Sequence, residues 1–408
     1  MKIALLHYSS PPIVGGVESV LAHHARLMAK AGHAVTILAG RGKTFDANIP
    51  VRILSHLDSR NAEVLAAKVA LDSGQYMPAF DGLRDQIKQE LLAELQGFDI
   101  LIAHNVASLH KNLPLTAAIH SAYRMSSFPH LILWHHDLAW TTPRYRHEMH
   151  NGYPWDLLRT DWGGVTHVVI SESRRQELGK LLGIAPASIR VIPNGVDVNA
   201  FFKLEVQTTR LVEQLRLLDA NPLFLLPVRL TPRKNIELAL RVLSELRYEF
   251  PLAMLLVTGP EGPHNPSNAA YRKKLLSLRD ELHLQGAAHF LADLTSDFMP
   301  DAVIADCFRL ADALIFPSRE EGFGIPIIEA AFSSMPVFCA GIPVLRELGG
   351  ADISYFDPDD KPVTIARQIS ARLQSEATSR WSRRAKHAYS WDSIYALHIR
   401  PLIQEVGI

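Results

Sequence analysis

Residues 2–40, KIALLHYSSPPIVGGVESVLAHHARLMAKAGHAVTILAG, decide the fold. KIALLH is a short apolar run that stops at serines and prolines, and a stretch with leucines and alanines at helical spacing follows. HAVTILAG is then a second apolar run. Two strands joined through a helix form a β-α-β unit, which makes the strands parallel. FDILIAHN (98–105), HLILWHHD (130–137) and THVVISES (166–173) repeat the pattern of apolar runs ending in polar residues, as strands buried on both faces do. The first half reads as a doubly wound α/β domain.

The pattern restarts past residue 200. PLFLLPVRL (222–230), AMLLVTG (253–259), AAHFLAD (287–293), ADALIFPS (311–318) and MPVFCAG (335–341) alternate with helical stretches such as IELALRVLSELRYEF (236–250) and AYRKKLLSLRDEL (270–282). A chain of 408 residues exceeds what one core of about 250–300 residues supports, so two such domains fit the length. The junction falls in VIPNGVDVNAFF (191–202), where Pro193, Asn194 and Gly195 supply turn chemistry. The expected domains are 1–200 and 201–385, with 386–408 as a terminal helix carrying aromatic and aliphatic anchors.

Composition excludes several classes. Lys and Arg together number 42, as do Asp and Glu, so no global field recruits nucleic acid or anionic lipid. Hydrophobic residues are 48% and charged residues 21% of the chain, ordinary globular usage. Cys307 and Cys339 are the only cysteines and have no metal-type spacing, which suits buried thiols in a reduced cytosol. No apolar run approaches the roughly 18 residues of a membrane span, so membrane contact is expected to be peripheral at most.

In open parallel sheets ligands sit beyond the carboxyl ends of the strands. EEGFGIPIIEA (320–330) lies there, after ADALIFPS. Its glycines permit close backbone approach, Pro326 suits a first helical position, and a helix beginning near it offers an anion site. Glu321 before the turn and Glu329 one turn into the helix supply acceptors for hydroxyls on both sides of a phosphate, the order found in a nucleotide sugar. Two carboxylates are equally the ordinary decoration of a helix start. LPVRLTPRKNIELAL (226–240) places Arg229 at a strand end and Lys234 before a helix, where a guanidinium and an ammonium can clamp a diphosphate. Their replacement is expected to reduce turnover with little change in melting; Arg233 reads as surface. Gly15 and Gly16 open the first helix without a full G-x-G-x-x-G. His136, in LWHHDLAW, is a candidate substrate contact or a packing histidine.

Other signals fail as sites. HEMH (147–150) lacks the spacing of a zinc helix, GRGKT (40–44) lacks the first glycine of a P-loop, and DPDD (357–360) reads as a turn before a helix. TTPRYRHEMHNGYPWDLLRTDW (141–162) is either an acceptor wall or a lid packed on the first domain.

Together GGVE, HHD, VIPNGVD, VRLTPRKN, PSREEGFGIPIIEA and YSWD resemble the retaining glycosyltransferases of family 4. The resemblance implies the GT-B fold, two Rossmann-like domains facing across a cleft, with the first taking the acceptor and the second the donor. It implies that Arg229 and Lys234 clamp the diphosphate, that Glu321 and the Phe323–Gly324 backbone contact the hexose, and that Glu329 contacts the ribose. Gly16 would face the donor phosphates, His136 would border the transferred sugar, and residues from about 386 would cross back to the first domain. The implied activity is metal-independent, retaining hexosyl transfer in the cytoplasm, without a cofactor, from a nucleotide-diphosphate sugar to a small polar acceptor in preference to a lipid. The same chemistry on a lipid or polysaccharide, a GT-B phosphorylase, a sugar-nucleotide epimerase, an NAD-dependent oxidoreductase and a non-catalytic binding module stay open. The Pro/Asn-rich loop in VTGPEGPHNPSNAAYRKKL (257–275) and GIPVLREL (341–348) depart from the family pattern.

Overall fold

The computed structural model describes residues 1–260, 267–294 and 299–407, so part of the Pro/Asn-rich loop lies outside the described residues. The chain divides into two compact units, Met1–Gly195 with Ile394–Ile408, and Val196–Ser393.

The first unit holds a seven-stranded sheet: β1 (Lys2–His7), β2 (Ala34–Ala39), β3 (Val51–Ile53), β4 (Ile100–His104), β5 (His130–His135), β6 (Thr166–Val169) and β7 (Arg190–Val191). Its order is β3-β2-β1-β4-β5-β6-β7, and every pair is parallel. Lys2 pairs in register with Ala34, and Ile3 with Ile100. Ile3 to Leu6 and Ile100 to Ile102 are fully buried, as helices on both faces require. β3 and β7 are edge strands of three and two residues with exposed or half-exposed side chains, too short and too wet to leave an apolar signature.

The second unit holds β8 (Leu223–Leu226), β9 (Met254–Val257), β10 (Ala288–Phe290), β11 (Ala313–Phe316), β12 (Val337–Ala340) and β13 (Ser354–Phe356) in the order β10-β9-β8-β11-β12-β13, again all parallel. Helix Ile236–Glu249 buries Ile236, Ala239, Leu240, Leu243 and Leu246, one apolar stripe, each large side chain contributing about 1.5–3 kcal/mol.

The expected boundaries at 200/201 and 385/386 move to 195/196 and 393/394. Helix Ala377–Tyr389 stays with the second unit because Lys386 pairs with Asp312 and donates to Leu310 O at 2.8 Å. The chain from Ile394 counts with the first unit, where Arg190 reaches Glu405 at 2.6 Å and Ile399 and Ile403 are buried. Among the described residues no helix is long and apolar enough to cross a membrane.

Candidate functional site

In each sheet the winding direction reverses between two central strands, β1 and β4 in the first and β8 and β11 in the second. Beyond the carboxyl ends of such a pair the connecting loops part and leave a crevice. In the second unit the loops that meet there are 227–235 and 317–324, and they carry Arg229, Lys234, Glu321, Phe323 and Gly324.

The loops are tied together. Lys234 Nζ donates to Glu321 Oε1 at 2.5 Å, Arg319 N donates to Arg233 O at 2.9 Å, and the Arg233 guanidinium donates to Glu320 O at 3.2 Å. Lys234 and Glu321 are 10% and 9% exposed at the side chain, so this is a largely desolvated ion pair lying over Phe316. The structure adds to the sequence reading at two points here. Lys234 is not simply a cation awaiting a ligand anion, because its counter-ion is the carboxylate assigned to the sugar. Arg233, read as surface, is exposed yet bridges the two loops. Arg229 is exposed on its loop. Gly259 lets that loop sit close: a Cβ there would lie 2.1 Å from Val228 O and 2.6 Å from Arg229 N.

Beyond Gly324 the helix Ile325–Phe332 begins, with Pro326 in its first turn as the sequence suggests. Gly324 has φ +102°, and a Cβ would meet Leu345 Cδ2 at 2.7 Å, so only glycine makes this turn unstrained. Phe323 is 57% exposed beside it. Glu329 is half-buried one turn into the helix, and burial, with Asp301 nearby, raises its carboxyl above the usual range. No contact joins it to Lys234 or Glu321 among the described residues.

Three polar atoms on these loops escaped the sequence reading. Thr231 Oγ1, Asn235 Nδ2 and Ser318 Oγ are buried without a hydrogen-bond partner among the described residues. Buried polar groups are nearly always satisfied, so these three atoms leave hydrogen-bonding capacity for a polar ligand on the two loops. Asn235 heads helix Ile236–Glu249 in the left-handed conformation, φ 51°, without capping it; Tyr271 Oη accepts from Ile236 N instead.

In the first unit His7 ends β1 and His104 ends β4. His7 Nδ1 lies 3.0 Å from His104 O, and His104 Nδ1 lies 3.1 Å from His136 Nε2. Asn105, at φ 61°, accepts from His136 N at 2.8 Å and Asp137 N at 3.2 Å, fixing the turn that carries His136. Burial holds His136 down at about 3, with His7 adding to the effect, so the ring is neutral at physiological pH. Gly15 and Gly16 separate cleanly. A Cβ on Gly15 would strike the Glu18 carboxylate at 2.1 Å, whereas one on Gly16, first residue of helix Gly16–Lys30, meets nothing within 4 Å.

The discarded signals stay discarded. GRGKT is followed by loop, not by a phosphate-binding helix. DPDD forms a turn closed by Asp359 N to Asp357 Oδ1 at 2.9 Å, and its side chains do not cap helix Pro362–Ser375. His150 bonds Asp72 O at 3.0 Å, away from any metal cluster with His135 or His136. Asp72, His110 and Glu148 do converge, but the Lys68 ammonium already bonds both carboxylates. The 141–162 segment divides its two readings: Trp155, Leu158 and Trp162 pack into the first unit, while Arg144, Arg146 and His147 face solvent.

Two parallel-sheet α/β units, one with a charged and polar crevice at its switch point, define a two-domain nucleotide-binding-type protein. Comparison with known proteins is more specific: residues 14–200 match the description Glycosyltransferase Family 4, and residues 207–388 match Glycosyl transferases group 1. The chain belongs to these glycosyltransferase families, whose architecture is GT-B. It is similar to the mannosylglucosylglycerate synthase of Petrotoga mobilis, 24% identical over 63% of this chain and 62% of that one. It is also similar to the MMP alpha-(1->4)-mannosyltransferase of Mycolicibacterium hassiacum, 23% identical over 97% and 96%. A third relative, the D-inositol 3-phosphate glycosyltransferase of Kineococcus radiotolerans, is 28% identical over 55% and 53%. The matched region spans less than two thirds of the first and third of these relatives.

Proposed function

We propose that this glycosyltransferase transfers a hexose, with retention and without a metal, from an α-linked nucleotide-diphosphate sugar to a hydroxyl of a small polar acceptor in the cytoplasm. The observation that carries the reading is the Lys234–Glu321 pair at the β8/β11 switch point, flanked by Arg229 and by the orphaned Thr231, Asn235 and Ser318 atoms. The activities for which the three relatives are named, all sugar transfers or syntheses, favour the same class.

The cations act on the leaving group. As the bond from the anomeric carbon to the diphosphate oxygen breaks, negative charge grows on that oxygen. Arg229 and Lys234, with the N-terminus of helix Ile325–Phe332, stabilise it from fixed positions. The acceptor hydroxyl forms the new bond on the same face and passes its proton to the departing diphosphate, so no protein base is needed. Glu321 accepts from a hexose hydroxyl while Lys234 balances its charge, and the Phe323–Gly324 backbone and Glu329 keep their donor contacts. In the first unit Gly16 permits backbone approach to phosphate, and neutral His136 hydrogen-bonds the sugar.

Thermal shift against UDP, GDP and ADP tests the donor half, since a ligand of the folded state raises stability by RT ln(1+[L]/Kd). One base should raise the second unit's melting point. No shift with any of the three would remove the reading.

A further inference from the structure

The second unit carries a cavity that the proposed reaction does not use. Its volume is about 620 Å³, a size that encloses a small molecule. Asp312, just before β11, Pro336, just before β12, and Ser354, the first residue of β13, line it, so it sits at the amino ends of these strands. The loops of Lys234 and Glu321 lie beyond the carboxyl ends, at the opposite edge of the same sheet. Helices Ile325–Phe332, Pro343–Gly349 and Ala377–Tyr389 supply further wall.

The lining combines apolar side chains with hydroxyls. Ile327, Ile328 and Ala331 from one helix form, with Val337 and Leu348, an apolar floor. Ser354, Thr378, Ser379 and Ser382 add the hydroxyls. Its cations are already engaged: Lys386 pairs with Asp312, Arg372 with Glu376, and Arg309 with the buried Asp306. Asp352 is exposed at the lining and pairs with no cation among the described residues. Such a surface repels an anion and offers no unpaired ammonium or guanidinium to a phosphate. It suits a neutral molecule with C–H faces for the floor and many hydroxyls, which donate to a carboxylate and exchange hydrogen bonds with serine and threonine.

The floor also backs the donor turn. A Cβ on Gly324 would lie 3.4 Å from Leu348 Cδ2 and 3.9 Å from Ile327 Cδ1, so two side chains that line the cavity pack against the turn beside Phe323. An occupant that holds Ile327 and Leu348 in place holds that turn, and with it the start of helix Ile325–Phe332.

We propose that this cavity is an effector site for a neutral sugar of one or two rings, and that its occupancy tightens nucleotide binding at the Lys234 and Glu321 loops. The coupling rests on the reading of those loops as the donor site; sugar binding in the cavity does not. Coupling between two sites is reciprocal, so the nucleotide must tighten the sugar by the same factor.

Saturation-transfer NMR of the full chain with glucose, maltose and glucose 6-phosphate tests the site, first without nucleotide. A neutral sugar should bind, and glucose 6-phosphate should bind at least about fivefold more weakly because Asp352 repels it. Ser382→Trp fills the cavity from an exposed helix position and should remove the binding, whereas Asp352→Asn should remove the discrimination against phosphate. Saturating neutral sugar should then lower the Kd of the nucleoside diphosphate selected by thermal shift about fivefold or more in the unsubstituted chain, and leave it unchanged in Ser382→Trp. No binding by glucose or maltose, binding that survives Ser382→Trp, a phosphate ester that binds as well as the neutral sugar, or a diphosphate Kd that sugar does not lower would overturn the inference. If no diphosphate binds the unsubstituted chain, the donor reading fails by itself, and sugar binding lost in Ser382→Trp would still establish the cavity as a site.

Discussion

Lys234 and Glu321 form a buried ion pair, and its part in folding can be tested without substrate. Their nitrogen and oxygen lie 2.5 Å apart, with side chains 10% and 9% exposed. Removing one partner of a buried pair strands the other charge and costs about 3–5 kcal/mol. For a unit of this size about 2–4 °C of melting temperature accompanies each kcal/mol, so Lys234→Met should lower the second unit's transition by about 6–20 °C. Glu321→Gln keeps an oxygen that accepts from the ammonium and should fall at the lower end. The double substitution leaves neither charge and should recover about half or more of the summed loss, a coupling that a double-mutant cycle measures directly. Ligand-free calorimetry of the four proteins is the assay. Single variants that melt within about 2 °C of the parent, or strictly additive losses, would refute the desolvated pair. Losses of that size would overturn the expectation from sequence that Lys234 matters to turnover alone.

Arg229→Ala should behave differently, lowering kcat about 100-fold with little change in melting, because the residue is exposed and acts on developing charge; steady-state kinetics beside calorimetry separates the two. Gly324→Ala should destabilise by about 1–3 kcal/mol because φ is +102° and Leu345 is in the way, as denaturant titration would show. Gly16→Ala, with open space around the position, should leave stability unchanged and weaken donor use, measured as the donor KM. His24 and His136 are both held down at about 3, so between pH 3 and 6.5 the unfolded chain binds protons that the folded chain refuses. Stability should therefore be complete above pH 6.5 and fall with pH below it, by about 1.4 kcal/mol per pH unit for each histidine; urea midpoints from pH 7 to 5 should show a smaller slope for His136→Asn. Activity should survive dialysis against a chelator if, as proposed, Arg229 and Lys234 supply the positive charge at the leaving group.

The sheets were legible because a parallel strand buried on both faces must be an apolar run, and the central strands β1, β4, β8 and β11 are such runs. β3 and β7 escaped because Arg52 and Arg190 break already short segments at a wet edge. At the site, residue types at strand ends were informative: Arg229, Lys234, Glu321 and Gly324 all lie on the two loops that meet at the second switch point. Their pairing was hidden because 87 residues separate Lys234 from Glu321. Thr231, Asn235 and Ser318 were invisible for another reason, since a polar residue in a loop looks ordinary until burial shows that nothing satisfies it. His136 carried an open choice between packing and contact, and its geometry shows the packing: the ring is buried and bonded to His104 on a turn that Asn105 fixes.

Retention is the central claim, and the anomeric configuration of the first-formed product tests it most directly. Proton NMR should be recorded at early time on the product made from the α-linked donor that the thermal screen selects. The account predicts the small anomeric coupling of an α-glucoside if the hexose is glucose, or the one-bond carbon–proton coupling of an α-linkage if it is mannose. A β-linked product at early time would require a base opposite the leaving group and would contradict the assignment of Arg229, Lys234 and Glu321.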